Sequence, residues 1–245
     1  MQNVTDGLVV QVSECDLQLS DRVWDFAELN AAAIDLHWQR RCKESPAFFN
    51  GRILMLTNYE IADGKFAGEL FETDFKSFLY WRETGQSPGA GIIDGFGSAL
   101  IRSCEGHVLL GQQTPGNVNG GMAYLPGGFI DRRDIEIASG RRVVNIANSI
   151  AREVEEETGL GSHDQTALPG YTLTLLPAQV SIAVTYQSPL PSQVLRTQIL
   201  KHIKTEVEPE LADIVIVRAD KDLQSLNLVP YARVLLRHIF GTALL

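Results

Sequence analysis

Residues 152–160 read Arg-Glu-Val-Glu-Glu-Glu-Thr-Gly-Leu, and this stretch constrains the chain more than any other feature. Aliphatic residues recur at helical spacing through it and ahead of it: Val143, Ile146, Ala147, Ile150 and Val154. The pattern predicts an amphipathic helix whose last turns carry the acidic side chains and which Gly159 ends. Like charges three and four residues apart repel each other, and a helix C-terminus disfavours anions. A bound cation would offset both costs.

The edge of this helix is predicted to carry Glu153, Glu156 and Glu157, because successive helical residues are turned by about 100°. Carboxylate oxygens with no Cys or His nearby favour Mg²⁺, or Mn²⁺, over zinc. An alternative interpretation is a solvated Glu-rich helix closed by a glycine cap. Residues 125–131, Leu-Pro-Gly-Gly-Phe-Ile-Asp, favour the metal site. Paired glycines let the backbone approach a ligand closely and expose carbonyl oxygens that a metal can use.

With these two segments the chain resembles the Nudix hydrolase family, whose signature is G-x5-E-x7-R-E-U-x-E-E-x-G-U, with U aliphatic. Residues 152–160 match its second half, and Gly128 matches its leading glycine in a Pro-Gly-Gly context. The resemblance implies an α/β/α sandwich on a mixed sheet and Mg²⁺-dependent hydrolysis of a nucleoside diphosphate-linked substrate. It implies Glu153, Glu156, Glu157 and the Gly128 carbonyl as metal ligands. Arg152 would orient a glutamate, or form an ordinary surface ion pair.

The middle of the signature departs from the family pattern. The family places its arginine fourteen positions after the glycine, whereas Arg152 lies 24 positions after Gly128, so ten extra residues fall around 132–140. The position of the first signature glutamate is Val144, which cannot bind a metal. Its predicted replacements are Asp131, Asp134 and Glu136. The departure also leaves open a catalytically silent Nudix-fold binding protein.

A narrower resemblance is to the atypical Nudix group that includes UDP-glucose/UDP-galactose pyrophosphatase, which also carries an insertion in the signature. The matching segments are residues 37–41, 45–51, 73–79 and 97–100. This resemblance implies that a UDP-sugar is hydrolysed to UMP and a sugar 1-phosphate. Hydrolysis of ADP-ribose, a dinucleotide or coenzyme A stays open as an alternative.

Further site residues are predicted outside the signature. The family often supplies another carboxylate from a distant loop, and Glu210 is the choice from the acidic cluster at 206–213, although a solvated acidic loop is the alternative. Arg102, Arg132 and Arg133 are candidate substrate-binding residues, because guanidinium pairs bidentately with phosphate. Each of them could equally be a surface charge. Aromatic residues that could stack on a base, or belong to the core, are Trp38, Phe49, Tyr59, Phe78 and Trp81.

Composition limits the partners. A formal net charge of −9 with no basic block argues against nucleic acid, which leaves a small nucleotide as the expected partner. No apolar stretch approaches the ~20 residues of a membrane span. Three unclustered cysteines indicate reduced thiols in a cytoplasmic protein, and residues 1–6 lack signal-peptide features. The oligomeric state is not predicted.

The rest of the chain predicts a fold of the α/β class, with an appended α+β region at 1–92, which packs on a Nudix hydrolase domain at 93–245. A helix is predicted over 21–43, capped by Asp21, with one apolar face made by Val23, Phe26, Leu29, Ala33 and Leu36. Asp63-Gly64 predicts a hairpin turn, and residues 84–91 predict the connection between the two regions. Other predicted strands are 8–13, 52–59, 66–71, 98–103, 108–112, 171–176, 178–187 and 213–217, and other helices are 74–83, 193–203 and 229–239.

Overall fold

The computed structural model describes residues 7–85 and 91–241, so the N-terminal residues 1–6 and most of the predicted connection at 84–91 lie outside it. The helices are α1 (Asp25–Leu29), α2 (Ala31–Glu44), α3 (Phe75–Tyr80), α4 (Ile146–Thr158), α5 (Ser192–Ile203) and α6 (Pro230–Gly241). The strands are β1 (Leu8–Val12), β2 (Glu14–Leu19), β3 (Arg52–Ala62), β4 (Lys65–Asp74), β5 (Asp94–Arg102), β6 (Val108–Gln113), β7 (Ala123–Tyr124), β8 (Ile135–Ala138), β9 (Arg141–Val144), β10 (Thr166–Ala167), β11 (Tyr171–Leu176), β12 (Gln179–Gln187) and β13 (Leu211–Val217). Among these residues, no helix is long and apolar enough to cross a membrane.

The larger sheet is mixed, as predicted. Its strand order is β1-β11-β12-β5-β6-β13, with β10 beside β12 and β7 beside β6. Strands β5 and β12 run parallel, and the other neighbours are antiparallel. Buried aliphatic side chains of β5, β6, β12 and β13 form the centre of the core with the apolar faces of α4 and α6.

Helices cover both faces of this sheet, which confirms the predicted α/β/α sandwich. At Gly97 an added Cβ would lie 2.6 Å from Ile150 of α4, so α4 packs directly on this glycine. The neighbouring Phe96 packs its ring on Tyr231 of α6, with centroids 4.9 Å apart. Because adjacent strand residues point to opposite faces, α4 and α6 lie on opposite sides of the sheet.

A second, five-stranded sheet has the order β3-β4-β2-β9-β8. Asp63 and Gly64 both adopt left-handed backbone conformations (φ 50° and 73°), which confirms the predicted tight hairpin turn between β3 and β4. The ten-residue insertion forms a short 3₁₀ turn and the β8–β9 hairpin at the edge of this sheet. Val144 is buried there, paired with Leu17 of β2. The position of the missing glutamate is therefore a packing position.

Strands from the two predicted regions share both sheets. Strand β1 pairs with β11, and β9 pairs with β2. The division of the chain at residue 92 stays a prediction.

The predicted helix over 21–43 is wrong in its start and in its apolar face. The helical segment is broken at Asn30 into α1 and α2, and α1 begins after Trp24. The break changes the phase of the helix, so Leu29 and Leu36 are exposed (84% and 69%) while Ile34 and His37 are buried. Asp21 caps nothing here and accepts a hydrogen bond from Arg142. Val143, expected on the α4 face, lies in β9.

Candidate active site

Helix α4 presents the acidic motif at the edge of the larger sheet. Asn145 caps its N-terminus by accepting a hydrogen bond from the Asn148 amide at 3.1 Å. Gly159 ends the helix in the left-handed conformation (φ 68°), which only glycine adopts without cost. The buried residues Ile150 and Val154 anchor one face of the helix in the core. The glutamates are thereby carried on a rigid element, as the spacing predicted.

Glu157 is the most buried carboxylate of the motif, at 8% exposure. Its Oε1 accepts a hydrogen bond from the Tyr124 hydroxyl at 2.7 Å, and its Oε2 accepts one from the Gly127 amide at 3.1 Å. Burial, reinforced by the charge of Glu210, raises the pKa of Glu157 well above its ordinary value. A fixed, desolvated carboxylate of this kind gains most from a nearby cation. Tyr124 is a site residue that the sequence motif did not indicate.

Glu153 lies against the glycine pair. A Cβ added to Gly128 would lie 2.4 Å from Glu153 Oε2, and one added to Gly127 would lie 2.4 Å from the Gly97 carbonyl oxygen. Only glycines permit this approach of loop, strand and carboxylate. Burial and the charge of Glu156 raise the pKa of Glu153 to about 7, against the opposing charge of Arg152. The Gly128 carbonyl accepts a hydrogen bond from the Gly97 amide at 3.2 Å and keeps a second lone pair.

We expect Gly128→Ala to displace Glu153 and to lower turnover about a hundredfold, the scale expected for a misplacement of about 1 Å. The fold should survive because Gly128 does not need a left-handed backbone. The matched control is Gly161→Ala, where an added Cβ meets nothing within 4 Å. Turnover and thermal unfolding of the two variants check this prediction; equal activity in both would contradict it.

A small cavity of about 170 Å³ gathers carboxylates from α4 and from the loop before β13. Its acidic lining consists of Glu153, Glu156, Glu157, Glu206, Glu208 and Glu210. Burial raises the pKa of Glu210, opposed by a hydrogen bond from Gln113 Nε2 at 3.1 Å. Side chains far apart in sequence, including the predicted Glu210, thus meet at one place.

These carboxylates fit a hard divalent cation by their chemistry. Oxygen donors without Cys or His are the ligands that Mg²⁺ and Mn²⁺ prefer. Within residues 7–85 and 91–241, no three His, Cys, Asp or Glu side chains already stand in positions to hold an ion. Glu153, Glu156, Glu157 and Glu210 line one cavity, and this cavity is where a cation would be held.

Arg152 connects the motif with the insertion. Its Nη1 donates to Asp134 Oδ1 at 2.5 Å, and its Nη2 donates to Glu153 Oε1 at 3.2 Å. Asp134 is fully buried and accepts a second hydrogen bond from Ser149 at 2.9 Å. Arg152 therefore holds Glu153 and is itself held by a residue of the insertion.

The three predicted replacements for the first glutamate have different surroundings. Asp134 pairs with Arg152, and Glu136 accepts a hydrogen bond from Asn145 on the β8–β9 side. Asp131 lines a large cleft beside the glutamates, where it pairs with Arg133. Of the three, only Asp131 is placed to serve the site.

This cleft has a volume of about 1030 Å³ and shares Glu153, Glu208, Pro209 and Glu210 with the acidic cavity. Arg133 lies in its wall. Arg132 is placed outside it, paired with Glu72, and Arg102 is also outside, beside the turn at Gly106. Of the three predicted substrate-binding arginines, only Arg133 therefore lines the cleft. Two arginines that sequence analysis did not indicate, Arg52 and Arg82, also line the cleft.

A loop at residues 114–119 forms one wall of the cleft and is tied to both sides of it. Arg82 Nη2 donates to Asn119 Oδ1 at 2.6 Å. Gln113 Oε1 accepts from the Asn119 amide at 2.6 Å, while its Nε2 donates to Glu210. Gln113 therefore couples the position of the loop to that of a candidate metal ligand.

The candidate base-stacking residues divide between core and surface. Phe78 and Trp81 are buried in a second apolar cluster, and Trp38 is stacked on Phe48. Phe49 is 80% exposed and lines the cleft, whereas Tyr59 is on the surface of β3. Phe49 is the one member of this predicted set that the structure places at the site.

Comparison with known proteins gives likenesses among solved structures. The MutT protein of Methanosarcina mazei Go1 is 20% identical with a TM-score of 0.39, and the match covers 62% of this chain and 96% of that one. RenU, a Nudix hydrolase from M. smegmatis, is 20% identical with a TM-score of 0.41 (62% and 88%). A putative Nudix hydrolase family member from Chromobacterium violaceum is 19% identical with a TM-score of 0.36 (60% and 77%). No protein-family model and no curated protein matches the chain.

Proposed function

We propose that this protein is a divalent-metal-dependent pyrophosphatase of the Nudix type, which hydrolyses a nucleoside diphosphate-linked small molecule. The observation that carries the proposal is the meeting of six glutamates in a cavity that shares Glu153, Glu208 and Glu210 with a cleft of about 1030 Å³. This volume lies at the upper end of ordinary small-molecule sites and suits a nucleotide with an attached group. Three of these six glutamates, Glu153, Glu156 and Glu157, belong to the signature.

Different residues would bind the metal and the phosphate groups in such a reaction. Glu153, Glu156, Glu157 and Glu210 would hold the metal, with the Gly128 carbonyl as a further ligand. When bound, the ion would neutralise phosphate charge and lower the pKa of the attacking water. Arg133, in the cleft wall, offers a guanidinium to a phosphate oxygen. The neighbours of Glu157 and Glu153 restrict the motion of these carboxylates before substrate binds.

The finer proposal is that the substrate is a UDP-sugar, cleaved to UMP and a sugar 1-phosphate. It is supported by the sequence resemblance and by an insertion within the signature, which here forms the β8–β9 hairpin. The test is a turnover screen with Mg²⁺, and with Mn²⁺ in parallel, against UDP-glucose, UDP-galactose, ADP-ribose, NADH and coenzyme A. Release of UMP from the UDP-sugars alone is the expected result. Cleavage of another member would keep the chemistry and discard the UDP-sugar.

A second candidate function is ligand binding without hydrolysis. The observation that favours it is the buried Val144 in β9, at the position of a family metal ligand. Absence of turnover with every substrate and both metals, together with measurable nucleotide binding, would favour this candidate over the enzyme.

Metal binding itself should be visible without any substrate. We expect Mg²⁺ at about 100 times its Kd to stabilise the protein by about 2.7 kcal/mol. For a chain of this size that raises Tm by about 5–10 °C. Thermal unfolding with and without the ion measures the shift, and Glu153→Gln should reduce it because that variant removes a candidate ligand. An unchanged Tm with both Mg²⁺ and Mn²⁺ would contradict a cation site.

A further inference from the structure

The floor of the cleft holds a buried carboxylate that the proposed chemistry does not use. Asp94, the first residue of β5, lines the cleft and is only 4% exposed. Its Oδ2 accepts a hydrogen bond from Gln179 Nε2 at 2.9 Å. Burial raises the pKa of Asp94, against the hydrogen bond from Gln179 and the charge of Arg82. A buried carboxyl group with one hydrogen bond and one nearby charge destabilises the fold. Its presence in a cleft therefore favours a role in ligand binding.

The hydrogen-bonding groups of this pair suit a neutral hydroxyl-bearing ligand. An ionised Asp94 would repel phosphate, so the pair is better suited to an uncharged group than to the diphosphate. Gln179 keeps its carbonyl oxygen and a second N–H hydrogen after donating to Asp94. A hydroxyl group both donates and accepts, so it can donate to an Asp94 carboxylate and accept from the free N–H of Gln179.

Aromatic rings stand beside the pair. Phe96 and Tyr231 line the cleft with their ring planes at 69° and their centroids 4.9 Å apart. The apolar faces of such rings can cover the C–H groups of a sugar, while the hydroxyls turn to the polar side chains. Tyr231 lines the same cleft as Asp94 and Glu153.

The distance along β5 fits one ligand that spans both sites. Gly97 donates to the Gly128 carbonyl next to the acidic cavity, and Asp94 lies three residues before it. At a rise of roughly 3.3 Å per residue, the two positions are about 10 Å apart. Glu153 and Asp94 line the same cleft, so a ligand with its diphosphate at the glutamates can extend towards Asp94.

We propose that Asp94 and Gln179 form a subsite for the neutral, hydroxyl-bearing ring of the ligand. The inference rests on the proposed function for the position of the diphosphate. The ring has two possible sources, the ribose of the nucleoside or a second sugar on the far phosphate. Asp94 and Gln179 are specificity-determining residues in either case.

The test uses sugars alone, so that neither metal nor hydrolysis is needed. The wild-type protein is titrated with D-glucose and, separately, with D-ribose, while the side-chain amide signal of Gln179 is followed by NMR. We expect a saturable shift of this signal, with affinity weakened at least tenfold in Asp94→Asn. The matched control is Asp220→Asn, an exposed aspartate outside the cleft, which should bind like the wild type.

The outcomes separate the sources and the hypotheses. A shift with glucose and little with ribose assigns the subsite to the far sugar, and the reverse assigns it to the nucleoside. No saturable shift with either sugar, or equal affinity in Asp94→Asn, overturns the subsite, whatever the turnover screen shows. If Asp94→Asn does not fold, Gln179→Met is used and binding is read by saturation transfer to the sugar. Undiminished binding there would overturn the proposal in the same way.

Discussion

Glu157→Gln is expected to lower kcat at least about a hundredfold, because it removes a charged ligand of the proposed metal, whose charge stabilisation is worth several kcal/mol, and to leave the fold intact. The substitution removes the negative charge of the carboxylate that lies deepest in the acidic cavity. The glutamine carbonyl can still accept from the Gly127 amide, and its NH₂ can donate to the Tyr124 oxygen, which then acts as acceptor. Both buried contacts are thus retained in neutral form.

The matched control is Glu155→Gln, two residues away on the same helix. Glu155 is exposed and does not line the acidic cavity, so removal of its charge should leave turnover unchanged. Steady-state turnover of both variants on the best substrate of the screen, with thermal unfolding as a check of folding, measures the difference. Activity of Glu157→Gln within a few-fold of the control would show that the site is assigned to the wrong residue.

Arg152→Met is expected to lower the free energy of unfolding by about 3 kcal/mol, because it leaves the buried Asp134 carboxylate without its cation. Asp134 keeps hydrogen bonds from Ser149 and from the Asp131 amide, which limits the loss. For a chain of this length the change corresponds to a Tm lower by about 6–12 °C. Turnover should fall as well, because Glu153 loses the group that orients it.

Two further variants test whether the loss comes from the Arg152–Asp134 ion pair or from the removal of any arginine charge. Arg142 pairs with Asp21, whose side chain is 91% exposed, so Arg142→Met should cost under about 1 kcal/mol. In a double-mutant cycle, Arg152→Met combined with Asp134→Asn should destabilise less than the sum of the two single variants. Additive losses would show that Arg152 and Asp134 do not interact.

The sequence predicted an element most accurately where the residues of that element alone define its pattern. The 3.6-residue repeat and Gly159 predicted α4 with an end at Thr158, and Asp63-Gly64 predicted the β3–β4 hairpin. The pattern failed over 21–43, because a break at Asn30 changes which residues face the core. Strand β2 was not predicted, and its partners β4 and β9 lie far away in the chain. The local β8–β9 hairpin of the insertion was not predicted either.

The residues of the candidate site likewise fall into those that local spacing indicates and those that only the structure shows. Local spacing identified Arg152 and the three α4 glutamates, and the acidic cluster near 210 suggested one more carboxylate. No local pattern indicates Tyr124, Gln113, Asp94 or Arg82, since each reaches the cleft only through the packing of separate elements. Arg102 and Arg132 carry the same guanidinium as Arg133, yet only Arg133 lines the cleft.

By itself, the sequence determined the helix that bears the carboxylates, the glycines that permit close approach to it and the hard-oxygen chemistry of the donors. These properties follow from residue type and from spacing within one or two turns. Only the tertiary structure decided that Glu210 meets Glu157, that Asp134 of the insertion holds Arg152, and that a cleft extends from the glutamates to Asp94. Those relations join residues at least 18 positions apart, and they exist only once sheet pairing and core packing bring distant segments together.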